Sequence, residues 1–181
     1  MRLYHTGFQM IQKPDIRHGR KNADFGPGFY LTDDPEFARR WARERKDEQT
    51  IVNSYELDVT GLSVHTFSRD QDWFACIFGN RRGRAVEIPS DVIIGPIAND
   101  TIYDTFGIIT SGLLKDQDAL RLLMIGPEYR QIVLKTKKAV ENLKWISAEV
   151  LGRDEISAYR KIVSAEEEEY QRLFAKEVEQ L

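Results

Sequence analysis

Apolar residues in this chain recur with two different periods, and the segments that carry them follow one another without regular alternation. Strand-like runs fall at residues 2–6, 28–32, 49–58, 62–64, 92–97 and 131–135, and Leu143-Lys144-Trp145-Ile146 reads as one more. Helical spacing appears at residues 70–80, which carry Trp73, Phe74, Ile77 and Phe78, then at 101–114, at 118–125, and from Asp154 onward. Strands mixed with helices in no βαβ order imply an α+β class. With 181 residues the chain can close one sizeable core. The expected organisation is a main body over residues 1–150 with a helical extension, 151–181, packed on it.

Local chemistry supports several boundaries. Asp33 or Asp34 before Pro35 is a helix start, because an Asp side chain accepts from the first free amides and Pro suits the first helical position. On the helix that follows, Phe37, Ala38, Trp41 and Ala42 share a face, with Arg39, Arg40, Arg43 and Lys46 expected to turn away. Residues 8–28 carry Pro14, Gly19, Gly26, Pro27 and Gly28 with little periodicity, which predicts a long loop, and long loops in compact domains tend to be functional. In the terminal helix, Ile156, Tyr159, Ile162, Val163, Tyr170, Leu173 and Phe174 form the apolar side. The acidic run 166–169 reads as its solvated face, with a docking surface for a partner as the alternative.

Composition excludes some functions. The 26 basic and 29 acidic residues leave no overall positive field of the kind that advertises nucleic-acid binding. The single cysteine, Cys76, sits in an apolar stretch and is expected to be a buried core thiol. Three histidines, with no paired His or Cys spacing, argue against a metal site; His18 and His65 earn no role. No apolar run approaches the roughly 20 residues needed to span a bilayer, and the N-terminus lacks the apolar centre of a secretory signal. A soluble cytoplasmic protein is expected.

Chemistry concentrates in the first 41 residues, where Tyr4-His5-Thr6-Gly7 is followed by Asp24-Phe25-Gly26-Pro27-Gly28-Phe29-Tyr30-Leu31-Thr32 and then by Trp41. Together these resemble the ADP-ribosyltransferase superfamily, in the branch of diphtheria toxin and the poly(ADP-ribose) polymerases. That branch carries a histidine on the first core strand and a Phe-Gly-x-Gly-[aliphatic or aromatic]-Tyr segment on the next. Phe25 to Tyr30 matches that segment position by position, and Trp41 follows Tyr30 at the spacing of the polymerases' second aromatic. The chain is also similar to a small bacterial family of ADP-ribosyltransferase-like proteins through Pro14-Asp15-Ile16, Gly19-Arg20, Asn80-Arg81 and Ile94-Gly95-Pro96. The resemblance covers about residues 2 to 147 and leaves the terminal helix outside.

The resemblance implies a split mixed β-sheet core with surrounding helices, and NAD as substrate with no metal. Departure of nicotinamide generates an oxocarbenium-like ribose, so the ring must be held still and electron-rich groups must surround the sugar. His5 would bond a ribose hydroxyl of the adenosine half, Tyr30 would stack on nicotinamide and Trp41 would cover its other face. Thr6 and Gly7, Gly26 and Gly28, and Phe25 and Phe29 complete the donor-binding segments, with the two later glycines letting backbone pass close to the ligand. The polymerases have Gly then Ser after their histidine, where this chain has Thr6 then Gly7. The backbone of Thr6 can hold the nicotinamide amide unless its φ is positive, and a serine contact from position 7 is lost.

The third catalytic residue of the branch is a Glu, Asp or Gln on a late strand, for which Gln131 is preferred over Glu128. A neutral Gln orients a hydroxyl but stabilises a cation less than a carboxylate, which argues against polymer synthesis and not against single transfer. Arg20 would meet the diphosphate, or it is a solvated loop arginine. Asn80-Arg81 and Asn99-Asp100 would shape a target-facing rim, or they are turn residues. The implied activity is mono-ADP-ribosylation of a protein or nucleic-acid acceptor. Its rivals are NAD hydrolysis and a catalytically inactive module that binds NAD or ADP-ribose. Bacterial relatives of this compact type imply a toxin or anti-phage effector with a small antitoxin partner.

Overall fold

A computed structural model describes residues 1–19, 21–84, 86–99 and 114–180. The helix expected over 101–114 lies outside the described residues except for Leu114, as does Arg20. The remaining elements are β1 (Arg2–Gly7), a 3-10 turn (Ile16–His18), β2 (Phe29–Leu31), α1 (Pro35–Arg40), β3 (Ile51–Leu57), β4 (Val64–Thr66) and α2 (Gln71–Arg81). They continue with β5 (Val92–Pro96), α3 (Asp116–Leu123), β6 (Arg130–Leu134), α4 (Lys137–Glu141), β7 (Leu143–Val150) and α5 (Arg153–Val178). The class is α+β, as the mixed periodicity implied.

Two sheets form, in the orders β1-β3-β7 and β2-β6-β5-β4. The first is antiparallel throughout, while the second is mixed because β4 runs parallel to β5. Alternation sorts the second sheet's side chains between two cores. Val92, Ile132 and Leu134 face the first sheet and pack with Leu3, Tyr55 and Leu57. Ile93 and Val133 face the helices and pack with Trp73, Phe74 and Ile77 of α2 and with Leu122 and Leu123 of α3. Helix α2 buries a broad face that includes Trp73, Phe74, Cys76, Ile77 and Phe78, and leaves Gln71, Asp72 and Ala75 exposed.

The terminal helix is a working part of this body. Its Tyr170 and Phe174 join the α2–α3 core, and its Ile156 joins Ala38, Ala42, Val52 and Leu151 beneath α1. Helix α1 stops at Arg40, with Trp41 as its C-cap; Arg43 and Lys46 are exposed as expected, but Arg39 and Arg40 meet acidic partners. Arg39 pairs with Glu149 at 2.6 Å and with Glu155 at 3.6 Å, and Arg40 pairs with Glu166 at 2.5 Å. Glu166 is therefore engaged, and the solvated reading of the acidic run holds only for its later residues. Among the described residues no helix is long and apolar enough to cross a membrane.

Candidate active site at the seam between the sheets

Among the described residues, backbone hydrogen bonds join the two sheets at one place. Tyr4 and Thr32 exchange both backbone hydrogen bonds, Tyr4 N–H to Thr32 O at 2.8 Å and Thr32 N–H to Tyr4 O at 3.0 Å. A continuing antiparallel ladder would next pair Thr6 with Tyr30. It does not, because the carbonyl of Tyr30 accepts from Nδ1 of His5 at 2.8 Å. The strands part there. Because Tyr4 directs its backbone groups toward β2, alternation directs those of Thr6 the same way. Neither the N–H nor the C=O of Thr6 has a hydrogen-bond partner among the described residues. The only positive φ at a described non-glycine residue is at Asp47, so the condition on Thr6 is met.

The same bond determines the state of His5. A carbonyl can only accept, so Nδ1 carries the proton and Nε2 keeps its lone pair. Burial pulls the imidazole pKa below its ordinary value, partly offset by the bond to Tyr30. The ring rests against Phe29, 4.7 Å between centroids. A Cβ on Gly7 would lie 3.4 Å from Nε2, so glycine leaves that nitrogen uncrowded.

A cleft of about 1200 Å³ opens at this seam, lined by His5, Thr6, Gly28, Phe29, Tyr30, Trp41 and Gln131 among the expected residues. Tyr30 lies opposite Val133, two residues from Gln131, so the two-residue period sets Tyr30 and Gln131 on one face of the sheet. The hydroxyl of Tyr30 is committed locally. It donates to Gly26 O at 2.6 Å and accepts from Phe25 N–H at 3.1 Å, which leaves the flat ring as its contribution to the cleft. The hydroxyl of Thr6 is likewise committed, to Ala38 O at 2.5 Å. Trp41 stands beside Phe37, and these two rings build the outer wall, with Phe37 stacked on Tyr129 behind it.

Three expected residues do not line the cleft. Phe25 is a core side chain stacked on Phe67, in space that exists because residue 95 is glycine: a Cβ there would lie 2.7 Å from the Phe25 ring. Gly26 turns the loop at φ 71°, over Lys135, whose ammonium donates to Phe25 O at 2.5 Å and to Pro27 O at 2.6 Å. Gly7 flanks the histidine from outside. Gly28 does line the cleft, but close approach to its own neighbours is what demands glycine. A Cβ would lie 2.6 Å from Val133 Cγ1 and 2.8 Å from Leu134 O, and a Cβ on Gly19 would lie 2.2 Å from Gly28 O.

Gln131 and the expected rim residues meet partners that the sequence did not assign. Gln131 is buried and donates from Nε2 to Asp24 Oδ2 at 3.1 Å and to Pro96 O at 3.3 Å, whereas Glu128 is exposed and away from the cleft. Arg81, expected at the rim, is buried and paired with Asp24 at 2.7 Å; Asn80 donates to Asp24 O at 3.0 Å. Asn99 is also buried, donating to Ile125 O at 2.6 Å and Pro127 O at 2.9 Å, and Asp100 lies outside the described residues. The loop after β1 is fastened by Asn53, which accepts from Ile11 N–H at 2.9 Å and donates to Gln9 O at 2.9 Å. That fastening brings Lys13 to the cleft. A polar Asn inside the apolar strand run was the available signal. Among the described residues no group of three or more His, Cys, Asp or Glu side chains could hold a metal ion.

This geometry defines an α+β protein with a cleft at the parting of two sheets, lined by a histidine held neutral, a backbone donor and acceptor unpaired among the described residues, and aromatic walls. The chain belongs to the family described as "Protein of unknown function (DUF3990)", which matches residues 1–145. No curated protein and no solved structure matches it.

Proposed function

We propose that this protein cleaves the bond between nicotinamide and ribose in NAD and transfers ADP-ribose to a macromolecular acceptor, protein or nucleic acid, inside the cell. The observation that carries this reading is the unpaired backbone of Thr6 at the seam. A primary carboxamide offers one acceptor and two donors, and a strand residue with free N–H and C=O is their complement. Nicotinamide held in that way would present its faces to aromatic residues, and Tyr30 and Trp41 supply flat surface in the same cleft. The cleft volume, about 1200 Å³, exceeds the ~300–1,000 Å³ of drug-sized sites and suits a dinucleotide.

In this reading the Nε2 lone pair of His5 accepts from a ribose hydroxyl of the adenosine half. The Gln131 oxygen accepts from a hydroxyl of the nicotinamide ribose. Lys13, exposed at the cleft, meets the diphosphate together with Arg20. The glycosidic C–N bond breaks with its electron pair leaving on nicotinamide, which departs neutral. The acceptor nucleophile then bonds to the anomeric carbon and gives up its proton.

The test is to incubate the pure chain and a cell lysate with NAD labelled in the adenylate half, following nicotinamide release and label on macromolecules. His5→Ala and Tyr30→Ala are each expected to lower release by on the order of 100-fold or more, the scale of losing one well-placed polar or positioning group. Release without transferred label would make water the acceptor, and the protein a hydrolase. NAD binding without release would make it a recognition module, and neither binding nor release would overturn the reading. Acting as a toxin or anti-phage effector, the protein would arrest growth on expression, and both substitutions would lift the arrest. A small antitoxin would then be its protecting partner.

A further inference from the structure

Under the cleft floor lies a buried charge cluster. Arg81 donates to Asp24 Oδ1 from Nε at 2.9 Å and from its terminal nitrogen at 2.7 Å, with side chains only 3% and 9% exposed. The second carboxylate oxygen, Oδ2, accepts from Gln131 Nε2 at 3.1 Å and from Ala98 N–H at 3.4 Å. The other proton of Nε2 goes to Pro96 O at 3.3 Å. Both acceptors around that nitrogen are unable to donate, so chemistry alone determines which way the Gln131 amide is turned. Its oxygen is left as the group available to a ligand, and Asp24, Arg81 and Gln131 all line the cleft.

We propose that Asp24 is the positioning residue of this site: it holds the Gln131 oxygen toward the ligand and lends it, through the amide, negative character that a carboxylate at 131 would supply directly. The proposal rests on the NAD reading above. Donating both amide protons to strong acceptors shifts electron density toward the amide oxygen, and the low-dielectric surroundings strengthen the effect. The arrangement also explains why residue 131 is neutral. A glutamate there would bring two carboxylates into contact beside one guanidinium, which disfavours having both charged. The carboxylate of the site therefore stands at Asp24, with Gln131 as its uncharged extension.

Three variants decide the matter: Asp24→Asn, Gln131→Glu, and the reciprocal Asp24→Asn/Gln131→Glu, each assayed for thermal melting, NAD binding and steady-state nicotinamide release. In Asp24→Asn the side-chain amide competes to donate where Gln131 donates. The expected result is a fall in kcat of about 10-fold to 100-fold with KM changed by less than about 3-fold. Gln131→Glu alone is expected to lose both melting temperature and activity. The reciprocal pair restores one carboxylate, one amide and one guanidinium, and is expected to recover at least about a third of wild-type kcat. A merely structural role for Asp24 would not be rescued by moving its charge to residue 131.

Wild-type kcat in a folded Asp24→Asn chain, or a folded reciprocal pair that stays as inactive as Asp24→Asn, would overturn the proposal and leave the NAD reading standing. If Asp24→Asn does not fold, the reciprocal pair decides alone, by its recovery or its absence. A wild-type chain that neither binds NAD nor releases nicotinamide would overturn both.

Discussion

The floor and the outer wall of the cleft are held by different forces. The floor, on β6 and the loop entering β2, is built from a buried ion pair and from glycines at which no side chain fits. The wall, α1 with Trp41, adds to a small apolar contact of Ala38 and Ala42 with Ile156 and Leu151 a set of partly exposed ion pairs to residues beyond the family match, among them Glu155 and Glu166. Buried polar clusters tolerate little, because each partner left behind keeps its full desolvation penalty. Partly exposed pairs are screened and replaceable. The floor should accordingly be intolerant of change, while the wall can be adjusted from the terminal helix without endangering the fold.

The contrast can be broken most directly at Arg81. Arg81→Ala strands the Asp24 carboxylate and is expected to cost about 3–5 kcal/mol in denaturant unfolding, the range for breaking a buried pair. A loss below about 1 kcal/mol would show that the floor is no more demanding than the wall. Gly28→Ala is expected to cost about 1–3 kcal/mol, since its Cβ would meet Leu134 backbone as well as a side chain, and thermal melting measures it. Arg40→Ala is expected to cost about 1 kcal/mol or less, because its pair with Glu166 is partly solvated. The sharper readout for Arg40→Ala is KM for NAD, expected to rise while kcat holds; an unchanged KM would detach the Arg40–Glu166 pair from ligand binding.

A further test of the contrast concerns pH. The folded-state pKa of His5 lies below its ordinary 6.5, so between the two values the unfolded chain binds a proton that the folded chain does not. This contribution to stability is present above pH 6.5 and is lost as pH falls from there toward the folded value. Comparing the wild type with His5→Gln in urea titrations over that range isolates it. Equal pH dependence in the two chains would mean that His5 is not held neutral.

Much of the architecture was legible because it depends on neighbours in sequence. Asp34 accepts from Glu36 and Phe37 amides ahead of Pro35, as its position implied, and the run expected over 92–97 became β5 at Val92–Pro96, between two cores. Helix 70–80 was found within one residue. Part of the candidate site was legible for the same reason, since His5 ends up one hydrogen bond from Tyr30, with Gln131 in the same cleft. The misplaced residues share a different property. Arg39, Arg40 and Glu166 looked like solvated charges, Arg81 like a turn residue and Phe25 like a ligand contact, and each met a partner far away in the chain.

The sequence by itself determined several of the turns, most of the described strands and helices, that Cys76 is buried, and which aromatic and imidazole groups share the N-terminal segments. Those outcomes follow from periodicity, capping and turn chemistry acting over a few residues. Only the tertiary structure decided that Asp24 pairs with Arg81, 57 residues on, and meets Gln131, 107 residues on, or that Arg40 answers Glu166, 126 residues on. A charged side chain carries no mark of its partner. Which charges meet is set by how the two sheets and the terminal helix close on one another, and burial then makes the pairing of Asp24 obligatory.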